Sequence, residues 1–427
     1  MIGEPLLILA LAIFLCTYIL LLALPKYRAY VAIAAAAVFV ALGILPISRV
    51  PEVIDWNVLL MIAGTMGLVS LFIESGMPSL MADVLIDKVP NEKWAVVTLA
   101  LFAGVISAFV DNVATVLMVA PVALNIAKKL NISPVPAVIC ISISSNLQGA
   151  ATLVGDTTSI LLGGYAGMDF LDFFWFRGKP GMFFVVEAGA LVSTLVLLYM
   201  FRKNNTPVSC NERTVVTDFV PSLLLGGAVL LLICASFIPD KPAITNGIIC
   251  TALFVVGLIR DAIKGEGFSS ASRHLYEIDF FTLLLLLGLF VVIGGITEAG
   301  VVDEIAKLFV SVSGDNLFMI YTLVVWASVL LSAFIDNIPY VATMLPVVTG
   351  IASLLGVDPH LLYFGLLTGA TLGGNLTPIG ASANITSIGI LRREGYKVTA
   401  GEFMKYGMPF TLAAVVTGYL LIWFIWA

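Results

Sequence analysis

The hexapeptide Ser107-Ala108-Phe109-Val110-Asp111-Asn112 recurs as Ser332-Ala333-Phe334-Ile335-Asp336-Asn337, 225 positions further on. Each copy sits in the middle of a long apolar run, 94–130 and 317–355. A carboxylate at the centre of a membrane helix costs ~2.5–3.5 kcal/mol on the insertion scale. A chain that places one there twice must fold so that both find water, protein partners or an ion. Other matches keep nearly the same spacing. Pro121-Val122 matches Pro346-Val347, and Gly149, Thr152, Gly155 and Ile160 match Gly374, Thr377, Gly380 and Ile385, all at 225. Asp55, Glu74 and Gly76 match Asp279, Glu298 and Gly300 at 224. A nearly constant offset across four elements points to an internal duplication.

The rest of the chain defines its solvent. Of 427 residues, 60% are hydrophobic and 11% charged, where a soluble domain carries roughly 25% charged residues. This excludes a water-soluble enzyme, and it excludes a disordered chain, which needs low hydrophobicity and high charge. Apolar stretches near spanning length run at about 5–24, 28–46, 55–73, 182–201, 218–238, 242–262, 278–297 and 404–426. The runs 94–130 and 317–355 are too long for one span and carry Asp-Asn at mid-run, so we read them as re-entrant helical hairpins with polar tips. Residues 134–164 and 360–391 are interrupted by glycine and polar residues, so we read them as broken spans.

The expected fold is an all-α polytopic membrane protein of about 10 spans, two hairpins and two broken helices. The first repeat takes 1–204, a cytoplasmic linker 205–217, and the second repeat 218–427. Each half holds five spans and one re-entrant hairpin. Five is odd, so the second half enters the membrane from the opposite side, the inverted-repeat plan of secondary transporters. Charge tests this topology. It puts 16 of the 21 lysines and arginines, Arg28 among them, on the face that holds the 25–28 loop. By the positive-inside rule that face is the cytoplasm, and both termini lie on the non-cytoplasmic side. The first apolar stretch lacks a basic leader and cleavage site, so it is read as a retained span.

Other features carry less chemistry. No basic run longer than a pair occurs, so nucleic acid is not an expected partner. The five cysteines (Cys16, Cys140, Cys210, Cys234 and Cys250) are scattered without CxxC spacing, and two histidines, His274 and His360, are too few for a His-based metal site. The aromatic segment 169–176 reads as a short interfacial helix. Glu74 and Glu298 read as solvated span ends.

The candidate site is built on Asp111, Asp156 and Asp336, the carboxylates inside the interrupted elements. Asp156 has no acidic counterpart, because Ala381 stands at its repeat position. Asn112, Asn337, Asn146, Asn375, Thr157, Ser382 and Asn384 supply neutral oxygens and amides beside them. Hard cations take oxygen ligands, so the pattern fits two Na+ or proton sites, at Asp111-Asn112 and Asp336-Asn337, beside one central substrate site. Helix capping by the two aspartates is compatible with that role. No Arg or Lys lies inside these elements, so an anionic substrate would depend on helix N-termini, amides and bound cations.

These motifs resemble the ion transporter superfamily, in the branch that holds ArsB-type arsenite permeases, NhaD-type sodium/proton antiporters and the melanosomal P protein. The likeness rests on Asp111-Asn112-Val113-Ala114-Thr115, on Gly149-Ala150-Ala151-Thr152 with Gly155-Asp156, on Phe334-Ile335-Asp336-Asn337-Ile338-Pro339, and on Gly373-Gly374-Asn375 with Ile379-Gly380-Ala381-Ser382-Ala383-Asn384. It implies ion or substrate contacts from these segments, Thr115, Gly155, Thr377 and Gly380 included. It also implies a homodimer whose mobile transport domain moves elevator-fashion against a scaffold. The related divalent-anion symporters carry Ser-Asn-Thr at the tips, where this chain has Asp-Asn. P protein relatives tend to carry Pro-Pro-Asn where this chain has Thr157-Thr158-Ser159, and there NhaD-type antiporters look closer.

The leading expectation is a secondary active transporter of a prokaryotic inner membrane, a Na+- or H+-coupled antiporter with no cofactor. Its partners are the bilayer, a small ion or small-molecule substrate and a second copy of the chain. A Na+-coupled dicarboxylate symporter, an arsenite efflux permease and a passive channel remain alternatives. An intramembrane aspartyl protease needs GxGD, and Leu153-Val154-Gly155-Asp156 lacks the first glycine.

Overall fold

The computed structural model describes residues 4–208, 214–216, 218–264, 268–314 and 316–427, without the side chains of 268–271. Cys210, Arg213 and part of the expected linker 205–217 lie outside the described residues. The protein is helical nearly throughout. The first ten helices are α1 (Glu4–Ala23), α2 (Arg28–Ala41), α3 (Val50–Val53), α4 (Trp56–Glu74), α5 (Met77–Ile86), α6 (Glu92–Ser107), α7 (Asn112–Leu130), α8 (Val135–Gly149), α9 (Thr157–Ala166) and α10 (Met182–Met200). The next ten are α11 (Val220–Ser236), α12 (Thr245–Lys264), α13 (Phe268–Tyr276), α14 (Phe280–Glu298), α15 (Val301–Ser313), α16 (Leu317–Ser332), α17 (Asn337–Leu355), α18 (His360–Leu367), α19 (Ser382–Arg393) and α20 (Ala400–Trp426).

The repeated residues sit at equivalent helix ends. Asp55 and Asp279 cap α4 and α14, accepting from the N–H groups of Val58 and Thr282. Asn91 and Asn316 cap α6 and α16 in the same way. Each side-chain oxygen satisfies one of the N–H groups that a helix start leaves unpaired. Gly76 and Gly300 open α5 and α15 at φ +74° and +78°, a backbone state that side chains disfavour. Asn131 and Gly356 close α7 and α17 in the left-handed region.

Among the described residues, eight helices are long and apolar enough to cross a membrane: α1, α4, α7, α10, α12, α14, α17 and α20. Two expected spans fall short of that length. The 28–46 stretch yields α2, 14 residues long, after which Gly43 turns the chain at φ +69°. The 218–238 stretch yields α11, 17 residues long. The expected interfacial helix at 169–176 is instead a 3-10 turn, Phe170–Phe173, held by a reciprocal Asp169–Asp172 capping box. It leads into a two-residue ribbon, where Arg177 and Gly178 turn the chain at φ +49° and +77°. The short helices α5 and α15 were not expected, although each follows its repeated glycine.

Helix pairs cross between the halves. α4 packs along α12, and α14 packs along α2. The repeat-related Gly64 and Gly288 allow both approaches. A Cβ at Gly64 would lie 2.5 Å from the Cys250 carbonyl carbon, and one at Gly288 would lie 2.6 Å from that of Ala32. Small residues let helix backbones meet where lipid supplies no hydrophobic drive. α10 and α20 pack together between the halves, and the Ser193 hydroxyl donates to the Phe410 carbonyl at 2.8 Å. At the start of α11, Arg260 of α12 donates twice to Asp218 (2.5 and 2.9 Å) and holds its carboxyl down at about 2.

Gly64→Val and Gly288→Val are each expected to destabilise the purified protein by about 1–3 kcal/mol, as overpacking does. Gly226→Val is the control, because a Cβ there meets nothing within 4 Å. Thermal melts in detergent check the difference.

Candidate functional site

Two tight turns carry the repeated aspartates. Between α6 and α7 the chain reverses at 108–111, and Asp111 Oδ1 accepts from the N–H groups of Val113 (3.0 Å) and Ala114 (3.1 Å). Between α16 and α17 it turns at 333–336, and Asp336 Oδ1 accepts from Ile338 N–H at 3.1 Å. Each turn is pinned by a break in another helix. The Thr152 hydroxyl donates to the Ala108 carbonyl, and the Thr377 hydroxyl donates to the Ala333 carbonyl. Gly155 and Gly380 press on the same turns. An added Cβ would lie 2.6 Å from Ser107 O at the first and 2.7 Å from Ser332 O at the second.

The breaks are also tied across the halves. α8 ends at Gly149 and α9 starts at Thr157; α18 runs into one π turn and one 3-10 turn before α19. Asn146 accepts from Asn112 Nδ2 (2.9 Å) and donates to the Thr371 carbonyl (2.9 Å) and Asn375 Oδ1 (3.1 Å). Asn375 donates back to the Ile143 carbonyl at 2.9 Å. Asn384 accepts from the Ser142 hydroxyl (2.6 Å) and donates to the carbonyls of Gly374 (3.1 Å) and Thr377 (3.3 Å). Asn146, Asn375 and Asn384 are fully buried. Buried amides and broken backbone thus satisfy one another, as an apolar medium requires.

In front of this network lies a cavity of about 180 Å³. Asp111, Asn112, Asp156, Thr157, Asn337 and Ser382 line it, six of the residues expected from sequence. Asn112, Thr157, Asn337 and Ser382 are the first residues of α7, α9, α17 and α19, so four helix N-termini converge there. Their partial positive charge favours anionic groups. Glu277 and Asp279 add two further carboxylates, and among the described residues no lysine or arginine lines the space. Asp156 Oδ2 accepts from the Thr158 hydroxyl at 2.7 Å, and that hydroxyl lies 2.9 Å from Thr371 Oγ1 of the other half.

The remaining expected residues lie behind the wall. Thr115 is buried and donates to its own turn at the Asp111 carbonyl. Asn146, Asn375 and Asn384 form the network, and Thr377, Gly155 and Gly380 shape the breaks. Asp336 is off the cavity, paired with Arg28 at 3.1 Å, and its Oδ2 also lies 3.4 Å from the Ser382 hydroxyl.

A second cavity, about 680 Å³, opens against the opposite ends of α4 and α14. The two are repeat-related. In the first, α4 contributes Met66, Val69, Ser70 and Ile73; in the second, α14 contributes Phe290, Ile293, Gly294 and Thr297, each 224 positions on. The cap Asp279 borders the first and its match Asp55 the second. They differ in depth: α7 presents its tip, 111–117, to the first, whereas α17 presents Ala342, Leu345 and Pro346 to the second.

Comparison with known proteins decides the family. The citrate transporter family (CitMHS) matches residues 18–369. The chain belongs to that family. It lies within the ion transporter superfamily, in the branch that includes the P protein. It is 31% identical over 425 residues to the uncharacterized transporter Rv2685 of Mycobacterium tuberculosis, covering 97% of this chain and 98% of that one. It is 29% identical to the human P protein, over 91% of this chain and 56% of the other. Among solved structures, the YdaH transporter of Alcanivorax borkumensis shares the fold, with a TM-score of 0.62 at 14% identity over 88% of this chain and 86% of that one. This member of the citrate transporter family is an integral membrane transporter.

Two partners escaped the sequence reading of this transporter. Arg28 was assigned to a loop, yet its side chain turns back to Asp336. Glu187, inside α10, accepts from Gln148 Nε2 at 2.8 Å. Charge inside an apolar stretch, the signal used for the aspartates, also marks Glu187. Glu74 and Glu298 are ion-paired, to Arg273 (3.3 Å) and to Arg49 respectively.

Asn146→Ala leaves the Thr371 carbonyl, Asn112 Nδ2 and Asn375 Oδ1 each short of a partner. At about 1–3 kcal/mol per unsatisfied buried group, it is expected to lower the melting temperature far more than Ser382→Ala, whose place at the cavity water can fill. Paired melts in detergent check this.

Proposed function

We propose that this transporter is a secondary active antiporter that works by alternating access and is coupled to Na+, H+ or both. The observation that carries the reading is the pair of repeat-related cavities on opposite ends of α4 and α14, with the tip carboxylate Asp111 at one of them. Exchanging the roles of the two halves, 1–204 and 218–427 about the linker 205–217, would bring the tips to the other. In this reading the halves are inverted repeats and α6–α7 and α16–α17 are re-entrant hairpins. They move with the broken helices α8–α9 and α18–α19, elevator-fashion, against a scaffold in a homodimer. In this reading the tip-bearing cavity opens toward the cytoplasm of a prokaryotic plasma membrane and both termini lie outside, as the basic loops favour.

The lining supports cation exchange. Asp111, Asp156, Glu277 and Asp279 face the space, and none of the described residues brings a basic side chain to it. The N-termini of α7 and α9 place partial positive charge beside Asp111 and Asp156. Asn112, Thr157 and Asn337 add neutral oxygens of the kind Na+ takes. Asp111 and Asp156 are therefore the residues on which Na+ and protons would compete.

A second reading has its own observation. Four converging N-termini in a citrate transporter family member also suit a Na+-coupled carboxylate symporter. In that case the bound cation would screen the aspartates.

Purified protein in proteoliposomes, with lumenal pH recorded under an imposed Na+ gradient, tests the proposal. A saturable pH change is expected. Asp111→Asn and Asp156→Asn are expected to reduce it at least ~10-fold, since intramembrane carboxylates of this kind carry the ion path. Their melting temperatures serve as the folding control. Unchanged flux in Asp111→Asn would overturn the assignment. Na+-driven citrate uptake without a pH change would favour the symporter, and arsenite in the same panel tests metalloid efflux.

A further inference from the structure

The two tips are matched in sequence but not in charge. Asp111 faces the cavity, and so does Asp156. Among the described residues, no lysine or arginine forms an ion pair with either one. At the second tip the position matching Asp156 is Ala381, so Asp336 is the single carboxylate there. Arg28 Nη1 lies 3.1 Å from Asp336 Oδ2, with side chains only 19% and 11% exposed. Arg28 Nε is anchored on the Leu21 carbonyl at 3.2 Å. Neither Arg28 nor Asp336 lines the cavity. The same tip is held from α1, where the Tyr18 hydroxyl donates to the Pro339 carbonyl at 2.7 Å and bonds Thr343. Among the described residues, no side chain of α11 or α12 hydrogen-bonds the 108–114 turn.

We infer that Arg28 is a built-in cation that occupies the second of the two repeat-related carboxylate sites, so that only the Asp111–Asp156 half takes an exchangeable cation. The first site carries two carboxylates without a fixed counter-charge, and the second carries one carboxylate and one fixed positive charge. A guanidinium stays protonated at every physiological pH, so the second site neither releases its cation nor competes for Na+. Arg28 thereby sets the number of coupling ions at one per chain. It is a specificity-determining residue for the exchange and rests on the antiport reading above.

The test counts 22Na+ bound per chain to purified protein at alkaline pH, and follows Na+-driven pH change in proteoliposomes of the same proteins. The wild type is expected to bind one equivalent and Asp111→Asn none. Arg28→Gln uncovers Asp336 and is expected to double the count to two. The double variant Arg28→Gln with Asp336→Asn returns it to one, and Arg28→Lys, which keeps the charge, leaves it at one. The double variant keeps the test sound if Arg28→Gln folds poorly, because it removes both buried charges together. A folded Arg28→Gln that binds the same number as the wild type overturns the inference, as does loss of the single ion in the double variant. In either case, surviving gradient-driven flux leaves the antiport reading standing. A wild type that binds no 22Na+ overturns the inference together with the sodium arm of that reading.

Discussion

Helices broken inside an apolar medium have to find partners for the backbone groups they release. The rest of this structure follows from how that demand is met. The two breaks, after Gly149 and after Leu376, are not solvated separately. They are tied to each other through Asn146, Asn375, Thr371 and Asn384, and to the tips through Thr152 and Thr377. The halves cannot slide past one another at this point without stranding several buried polar groups, each costing about 1–3 kcal/mol. The broken segments and the tips are therefore bonded into one network, and the cavity lies in front of it.

The same arrangement sets the electrostatics. Four helices start at the cavity wall, and the carboxylates Asp111 and Asp156 stand at the starts of two of them. Dipole and carboxylate are mutually favourable at these two starts. The second half departs from this pattern at two positions. Ala381 removes one carboxylate, and Arg28 neutralises the other. The two repeated tips thus differ in charge: Asp111 faces the cavity, and Asp336 is paired behind it.

Much of this was legible in the sequence, for a physical reason. A polar residue in an apolar run must be accounted for, so Asp111, Asp336, Asn146, Asn375 and the two breaks stood out, and six of the residues chosen on that ground line one cavity. The duplication was readable because caps and turns constrain residue type: Asp55 with Asp279, and Gly76 with Gly300, each occupy one backbone role twice. Other features were hidden. Arg28 lies at an apparent span end, where a basic residue reads as topology; only the fold brings its guanidinium to a residue 308 positions away. Spacing alone could not separate Asp336 from Asp111, because both cap their helices in the same way. The lengths of α2 and α11 were overestimated because hydropathy does not register where a turn ends a helix.

The central claim is that one tip site meets water on each side of the membrane in turn. A single cysteine at Val113, on the cavity wall beside Asp111, measures this in a cysteine-free background. A membrane-impermeant thiol reagent is applied to right-side-out and to inside-out vesicles. Labelling from both faces is expected, with the ratio shifted by the Na+ gradient. Labelling from one face alone, whatever the gradient, would contradict it.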